Sequence, residues 1–371
     1  MVSFFKKLLT KKSQGVGLEI TSERINVAQI TKQGRNHKLV KYCSLALPEG
    51  IFEEGKIADS PALAELIQQF LKDNKITSKH VATGVPMRES IIRMIPIPSE
   101  LDDQELRDLV LNHEASLYLP YPREEVDLDY QKLGYFQDED GIEKVQVLLV
   151  ATRREITDAY RSTFQQAGLQ VDVLEINSFA LIRTIREQLR QFSSNEAVVI
   201  VDIEFDNTEI AIVVDGVPQF SRTVPIGTFQ LQNALSRAMN LPTSRSPEIL
   251  LGMTIPMTDL DSFSTLTGTS EFSNNPGIMA LMRVLGELTD ELRRSINFYL
   301  NQSDQLDIVQ LFLAGPGGGI AGLDEYFTQN LSVPTMQIDP ITALNLDINQ
   351  EIPNAERPGL GTVLGLGLRE V

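Results

Sequence analysis

From residue 16 the chain alternates apolar and polar positions in short runs. Val16–Ile20 is apolar, Thr21-Ser22-Glu23 is a polar break, and Ile25, Val27 and Ile30 resume with period two, which predicts a β-hairpin. A third strand, Lys38–Leu47, completes a meander. The period then lengthens: Ser60 as cap and Pro61 at the first position open a helix striped by Leu63, Leu66, Ile67, Phe70 and Leu71. Between Val81 and Thr152 the pattern predicts two strands (Val81–Val85, Ile91–Ile97), a helix striped by Leu106, Leu109, Val110, His113 and Leu117, and two more strands (Val126–Leu133, Val145–Val150). His113 reads as an imidazole packed in that stripe. A strand at Val171–Ile176 and a helix at Phe179–Leu189 follow.

A second hairpin, Val201–Val213, repeats the first. GLEITSERINVA and VDIEFDNTEIAIV each carry an acid near the end of a strand, an Ile, a polar turn and an alternating second strand. They stand about half the chain apart, which predicts an internal duplication and two related lobes. A strand at Gln219–Val224 and a helix at Thr228–Met239 continue the second copy. The stretch 241–277 turns to Ser, Thr, Pro and Asn and reads as a surface loop. Leu281, Val284, Leu285, Leu288, Leu292, Ile296 and Tyr299 then trace a long amphipathic helix. Last comes LFLAGPGGGIAGLDEYF (Leu311–Phe327), a strand that breaks into a glycine turn and restarts as a helix.

Composition narrows the chemistry. A chain of 371 residues is long for one core, so about two domains are expected. The formal net charge of −17 opposes a nucleic-acid partner, which is itself a polyanion. One cysteine, Cys43, allows no internal disulfide, and three histidines without a ligand motif argue against a transition-metal centre. The expected compartment is reducing. No apolar run approaches the roughly 18–20 residues that span a bilayer. MVSFFKKLLTKK at the start fits either a frayed tail or a contact with anionic headgroups.

The glycine turn is the first candidate site, because Gly315, Gly317, Gly318 and Gly319 let the backbone approach a ligand closely. It is not a phosphate loop, since no Gly-Lys-Ser/Thr follows. Glu19 and Asp202 at two strand ends could hold a hydrated Mg²⁺, with turn amides and hydroxyls on phosphate oxygens. On the polar side of the long helix, Glu291 and Arg294 fit a solvated, ion-paired helix face.

The order hairpin, inserted segment, hairpin, strand–glycine turn–helix resembles the phosphate-1, phosphate-2 and adenosine segments of the actin-like ATPase fold. Several stretches are closer still. VPMRESIIRMIPIP (Val85–Pro98), NHEASLYLPYPREEVDLDY (Asn112–Tyr130), VPQFSRTVPIG (Val217–Gly227), DELRRSINFYL (Asp290–Leu300), GLDEYF (Gly322–Phe327) and GLGTVLGLGLRE (Gly359–Glu370) resemble the PilM family of type IV pilus assembly proteins, relatives of FtsA. The resemblance implies a two-lobed, FtsA-like α/β fold with an inserted α+β subdomain in the first lobe. Its expected parts are a tail at 1–15, a first lobe at 16–80 and 153–195, an insert at 81–152, a second lobe at 196–240 and 308–371, and an outer subdomain at 241–307.

It also implies roles. ATP or ADP with Mg²⁺ would lie between the lobes, with Glu19 and Asp202 ordering the metal through water and Ser22 and Thr208 donating hydroxyls. Gly315, Gly317 and Gly318 would meet the base or α-phosphate, and Glu291 and Arg294, on the helix that borders the adenosine in this fold, would take ribose hydroxyls and stack on the base. Glu175, with Asn177 as its rival, would activate water. Departures weaken this. The family's phosphate-1 glycine is Thr21 here, its lysine is Asn26, and the second loop's glycine is Glu204. A carboxylate about 4 Å from a phosphate costs around 4 kcal/mol at an effective dielectric of about 20. Nucleotide is therefore expected to bind weakly, with hydrolysis weak or absent. The expected partner is the N-terminal cytoplasmic peptide of PilN, in a groove walled by Val81–Val85, Ile91–Ile97 and the helix Leu106–Leu117. Other inner-membrane pilus assembly proteins, and a second copy in a homo-oligomer, are further expected contacts. The implied location is cytoplasmic, peripheral to the inner membrane. A polymerising FtsA-like ATPase is the alternative, and a sugar kinase of the same superfold a third class without a recognisable sugar pocket.

Overall fold

A computed structural model describes residues 16–33, 36–245, 247–256, 275–302 and 306–369. The expectations for the tail 1–15 and for most of the Ser/Thr-rich stretch fall outside these residues. The first sheet begins as the expected meander, β1 (Val16–Ile20), β2 (Arg24–Gln33) and β3 (Asn36–Ala46), with Glu19 opposite Asn26 and Ile20 opposite Ile25. A short ribbon, β4 (Phe52–Glu53) and β5 (Lys56–Ile57), leads to α1 (Ser60–Asp73). The helix is capped one residue earlier than expected, by Asp59, whose carboxylate accepts from the Ala62 N–H at 3.0 Å.

β6 (His80–Val85) corrects the expected insert. It lies parallel to β1 inside the first sheet. Five of its six residues are buried, as for a central parallel strand covered on both faces. The insert proper holds β7 (Ser90–Pro98), α2 (Asp103–Asp108), α3 (Ala115–Tyr118), β8 (Val126–Gln137) and β9 (Glu143–Arg153), in the strand order β7-β9-β8. Its helical stretch is not one α-helix, because Leu109–Glu114 is a turn of π-helix. One extra residue per turn moves the buried stripe to Leu106, Val110 and Ala115, at spacings of four and then five. His113 therefore faces out, and Leu117 is 75% exposed.

The chain returns through α4 (Arg154–Gln166) to β10 (Gln170–Ile176), parallel to β6 at the sheet edge, and then α5 (Asn177–Thr184) and α6 (Arg186–Leu189). The second sheet follows as β11 (Glu196–Ile203), β12 (Thr208–Val214) and β13 (Val217–Val224). After α7 (Thr228–Ala238), α8 (Glu248–Leu251) and α9 (Pro276–Leu300), the chain adds β14 (Asp307–Ala314), α10 (Leu323–Leu331) and β15 (Thr335–Gln337). α11 (Pro340–Ala343), β16 (Leu346–Ile348) and α12 (Gly361–Gly367) complete it.

The two sheets have one topology. Read outward from each meander, β3-β2-β1-β6-β10 and β13-β12-β11-β14-β15 share order and strand direction. This is the duplication that the two hairpins predict. The end of the chain departs from expectation: β16 pairs with β3, and α12 packs under the first sheet, so the segment from Leu346 belongs with the first lobe. α9, expected in an outer subdomain, shares one core with the outward face of the second sheet.

The layers run α1 and α4, first sheet, α5 and α12, second sheet, and then α7, α9 and α10. The middle layer is thin because its contacts are glycines. A Cβ on Gly17 of β1 would sit 2.6 Å from the Val363 carbonyl oxygen, and one on Gly365 would overlap the Ala180 carbonyl. Helix, strand and helix thus approach backbone to backbone, which brings the tips of both hairpins to one gap.

Candidate functional site

The two hairpin tips are built alike. Each turn closes on the same backbone bond, Thr21 N–H to the Arg24 carbonyl and Glu204 N–H to the Asn207 carbonyl, both 2.9 Å. The four-residue loops make Glu19 equivalent to Asp202, Asn26 to Glu209, Thr21 to Glu204 and Ser22 to Phe205. In the first hairpin Asn26 donates its amide to Glu19 Oε2 at 3.0 Å and accepts from the Ser44 hydroxyl at 2.7 Å. In the second hairpin Asp202 faces the carboxyl of Glu209 across the strands.

Burial governs the chemistry of these acids. It pushes the Glu19 carboxyl up to about 8, with Asp202 adding to the rise and hydrogen bonds from Asn26 and Thr362 opposing it. Burial likewise lifts Asp202 to about 7. Glu209 rises to about 8 through burial and then the Asp202 charge, and its Oε1 accepts from the Met87 N–H at 2.8 Å. Glu204 is raised well above the usual range by burial, then by Asp202, Glu19, Glu209 and Glu23. Glu23 is also raised by burial, against the opposing charge of Arg24.

Glu19, Asp202 and the glycine turn are therefore neighbours. Gly315 has φ +74°, and a Cβ there would lie 2.5 Å from Asp202 Oδ1. Several of the remaining site residues are engaged within the chain. The Thr21 hydroxyl closes its own turn, accepting from the Arg24 N–H at 3.1 Å. Thr208 gives its hydroxyl to the Ile226 carbonyl at 2.6 Å rather than to a ligand. Gly317 packs on the Ile203 side chain, where a Cβ would lie 2.7 Å from Cβ of Ile203, and Gly318 packs on Leu313 and Pro358. These two glycines serve close packing.

Three contacts that sequence reasoning missed draw the lobes together. Arg245 donates to the Ser22 carbonyl at 2.6 Å and lies over the Phe205 ring at 4.7 Å, so it touches equivalent positions of both tips. Arg88 pairs with Asp206 at 3.1 Å, and Glu209 holds the Met87 N–H. The signal for Glu209 was present, since a four-residue loop fixes it opposite Asp202. Between the tips lies a cavity of about 30 Å³, lined by Thr21, Ser22, Asn177, Glu204, Asn207 and Glu209 among others. That is room for one water or ion, far below the roughly 300 Å³ of a small-molecule pocket. As the lobes stand, this cavity is smaller than a triphosphate.

Three expected residues lie elsewhere. Glu175, at the end of β10, accepts from Arg183 at 2.7 and 2.6 Å and is also bridged by Arg369. Burial alone would raise its carboxyl, but the two guanidiniums outweigh burial and hold it below the usual range. An acid so paired is a poor base for water, which corrects its expected role. Glu291 pairs with Arg294 and, at 2.6 Å, with Arg222 on β13. β13 is the edge strand farthest from the glycine turn's side of the sheet, so these two form the ion-paired helix face rather than a nucleoside contact.

A larger feature lies between the first sheet and the insert. A groove of about 820 Å³ is lined by Val126–Gln131 of β8 and Asp172–Ile176 of β10, with Leu148, Val150 and Phe179 in its apolar part. Glu175 belongs to this groove. Each bounding strand is the last of its sheet. Of the walls expected from sequence, only Val85 takes part; β7 lies beyond β9, and α2 covers the opposite face.

Comparison with known proteins fits this architecture. The family model described as type IV pilus assembly protein PilM matches residues 17–249 and 269–371. A solved PilM-PilN type IV pilus biogenesis complex aligns with a TM-score of 0.78 and 25% identity, over 97% of this chain and 99% of that one. The ethanolamine utilization protein EutJ from Carboxydothermus hydrogenoformans aligns at 0.52 and 15% identity, covering 95% of this chain and 89% of its own. MreB5 of Spiroplasma citri bound to AMPPNP also aligns at 0.52, with 11% identity, covering 94% and 93%. The fold is that of the actin-like nucleotide-binding proteins.

Proposed function

Because the chain belongs to the PilM family of type IV pilus assembly proteins, we propose that it is a cytoplasmic scaffold of the pilus machine, bound at the inner membrane through the N-terminal tail of a PilN protein. The carrying observation is the groove between β8 and β10. Two terminal strands border one groove of about 820 Å³, a volume that accommodates a short peptide segment. An extended peptide would add main-chain hydrogen bonds to a strand edge and place alternate side chains against Leu148, Val150 and Phe179. The solved PilM-PilN complex, similar over nearly the whole chain, supports the same partner.

The cleft between the lobes supports a minor role for nucleotide. ATP or ADP with Mg²⁺ would need the lobes to part and the carboxyls around Asp202 to yield, so binding is weak and hydrolysis weak or absent. A polymerising ATPase, the alternative for this fold, would need the triphosphate site that the acids oppose. The test is calorimetric titration with a synthetic PilN N-terminal peptide. Binding is expected, weakened at least tenfold by Val150→Asp or Leu174→Asp and unchanged by Arg294→Ala. No heat from the folded wild-type protein would contradict the proposal.

A further inference from the structure

Charge is spread along this chain far more unevenly than its total of −17 suggests. All thirteen lysines fall before residue 145, and eleven of them before residue 80. Residues 1–79 hold thirteen Lys and Arg against eight Asp and Glu, a net charge of +5, while the remaining residues hold twenty against forty-two, a net of −22. Such asymmetry points to an anionic partner for one part of the molecule.

The fold then separates the signs within that basic part. β1 runs from Val16 to the tip at Ile20, so Glu19 and Glu23 lie at the cleft, and the ribbon carrying Glu53 and Glu54 borders the cleft cavity through Phe52 and Gly55. The lysines gather at the opposite end. Val16 pairs with Gln29 and Val81, which sets the starts of β1 and β6 beside the far half of the β2–β3 hairpin. Lys32 and Lys38 stand on that hairpin, Lys72 and Lys75 lie at the end of α1, and Lys79 precedes β6. Lys41 ties these segments together, its Nζ donating to the Asn74 carbonyl at 2.5 Å. Of the neighbouring acids, Asp347 is taken by Lys38 at 3.2 Å and Asp172 by His80 at 2.8 Å, and Asp73 accepts from Gln69. Lys72, Lys75 and Lys79 are exposed, and none of them forms an ion pair among the described residues.

We propose that this end of the first lobe, with Lys72, Lys75 and Lys79 at its centre, docks on an anionic phospholipid bilayer. The sequence that leads into Val16 favours a bilayer over other polyanions. Residues 1–15 carry Lys6, Lys7, Lys11 and Lys12 and no acid, interleaved with Phe4, Phe5, Leu8 and Leu9. At a headgroup boundary the ammonium groups meet phosphates while the apolar side chains enter the acyl region; a nucleic-acid duplex would use the charge and leave those side chains in water. Repulsion of the acidic remainder by the same surface sets the orientation, with the lysines down and the cleft away. The peptide groove reaches this end too, because its lining residue Asp172 is held by His80, next to Lys79. A membrane protein's tail bound there and the bilayer it comes from are therefore met on one side of the molecule.

The test is co-sedimentation of the full chain with vesicles of phosphatidylcholine, alone or with about 30% phosphatidylglycerol, over a range of salt concentrations. Binding is expected to the anionic vesicles only, and to fall as salt rises. The triple variant K72Q/K75Q/K79Q should bind them about tenfold more weakly or worse, with an unchanged melting temperature because the three side chains are exposed. R237Q/R283Q/R293Q, which removes the same charge from α7 and α9 on the outer layer of the second lobe, should bind as the wild type does. No binding of the wild type to anionic vesicles would overturn the proposal. So would an unchanged affinity in the lysine variant, an equal loss in both variants, or tighter binding to duplex DNA than to the vesicles. The peptide titration contains no lipid, so failure of this proposal is distinguishable from failure of the groove reading.

Discussion

The two hairpins show how one backbone can be given opposite chemistry by a few side chains. Both meanders have the same loop length, the same closing hydrogen bond and an acid at the same strand position. In the first, Asn26 supplies a donor to Glu19, so the acid is partnered within its own hairpin. In the second, the equivalent residue is Glu209, and Asp202 is left facing another carboxyl. The turn positions diverge in the same sense, Thr21 closing its own loop and Glu204 adding a buried acid. One tip is therefore self-contained, while the other needs something from outside it. Protons meet that need, because burial lifts Asp202 to about 7 and Glu209 to about 8.

Exchanging residues between equivalent positions tests this contrast. The largest effect is expected from Gly17→Ile, which copies the second lobe's Ile200 into β1. Its side chain would enter the backbone of α12, and overpacking of this kind costs about 3 kcal/mol, seen as a lower urea midpoint. Asn26→Glu, copying Glu209, removes the donor to Glu19 and buries another acid. A loss of about 2 kcal/mol at pH 8 and a smaller one at pH 5 are expected from denaturation at the two pH values.

The reverse exchange, Glu209→Asn, should stabilise the protein at pH 8 by about 1 kcal/mol and flatten its pH dependence. The sign follows from proton binding. Glu19, Asp202 and Glu209 have folded values of about 8, 7 and 8 against ordinary values of 4.5, 3.8 and 4.5, so the folded protein holds more protons between those limits. Stability therefore falls as pH rises from about 4 to about 8, and less so in the variant. The smallest effect is expected at Arg294→Ala, whose pairing with Glu291 lies on an exposed helix face, and a stability change within about 0.5 kcal/mol would agree.

Much of this was legible in the residues, and the failures have physical causes. Period-two alternation and matching turns revealed both hairpins, and the glycine turn was correctly placed beside Asp202. The seven stripe positions read for α9, Leu281, Val284, Leu285, Leu288, Leu292, Ile296 and Tyr299, are all buried, and Ile278, Met282, Thr289 and Ser295 widen the stripe beyond that reading. The π-turn at Leu109–Glu114 was not legible, because a 3.6-residue template puts His113 in the stripe that one added residue rotates out. β6 was misassigned because sequence adjacency to β7 suggested one subdomain, whereas a strand buried on both faces belongs to a parallel sheet's interior. Glu175 and Glu291 each pair with a nearby arginine, Arg183 and Arg294, but the second partners that complete their neutralisation, Arg369 and Arg222, come from distant parts of the chain that the sequence does not bring together.

The central claim is that the acids at the second tip weaken triphosphate binding in a cleft whose fold would otherwise accept one. Calorimetric titration of MgATP into the wild-type protein and into the double variant T21G/E204G tests it most directly. The account predicts weak binding or none to the wild type and binding at least tenfold tighter in the variant. Micromolar MgATP binding with turnover by the wild-type chain would contradict it.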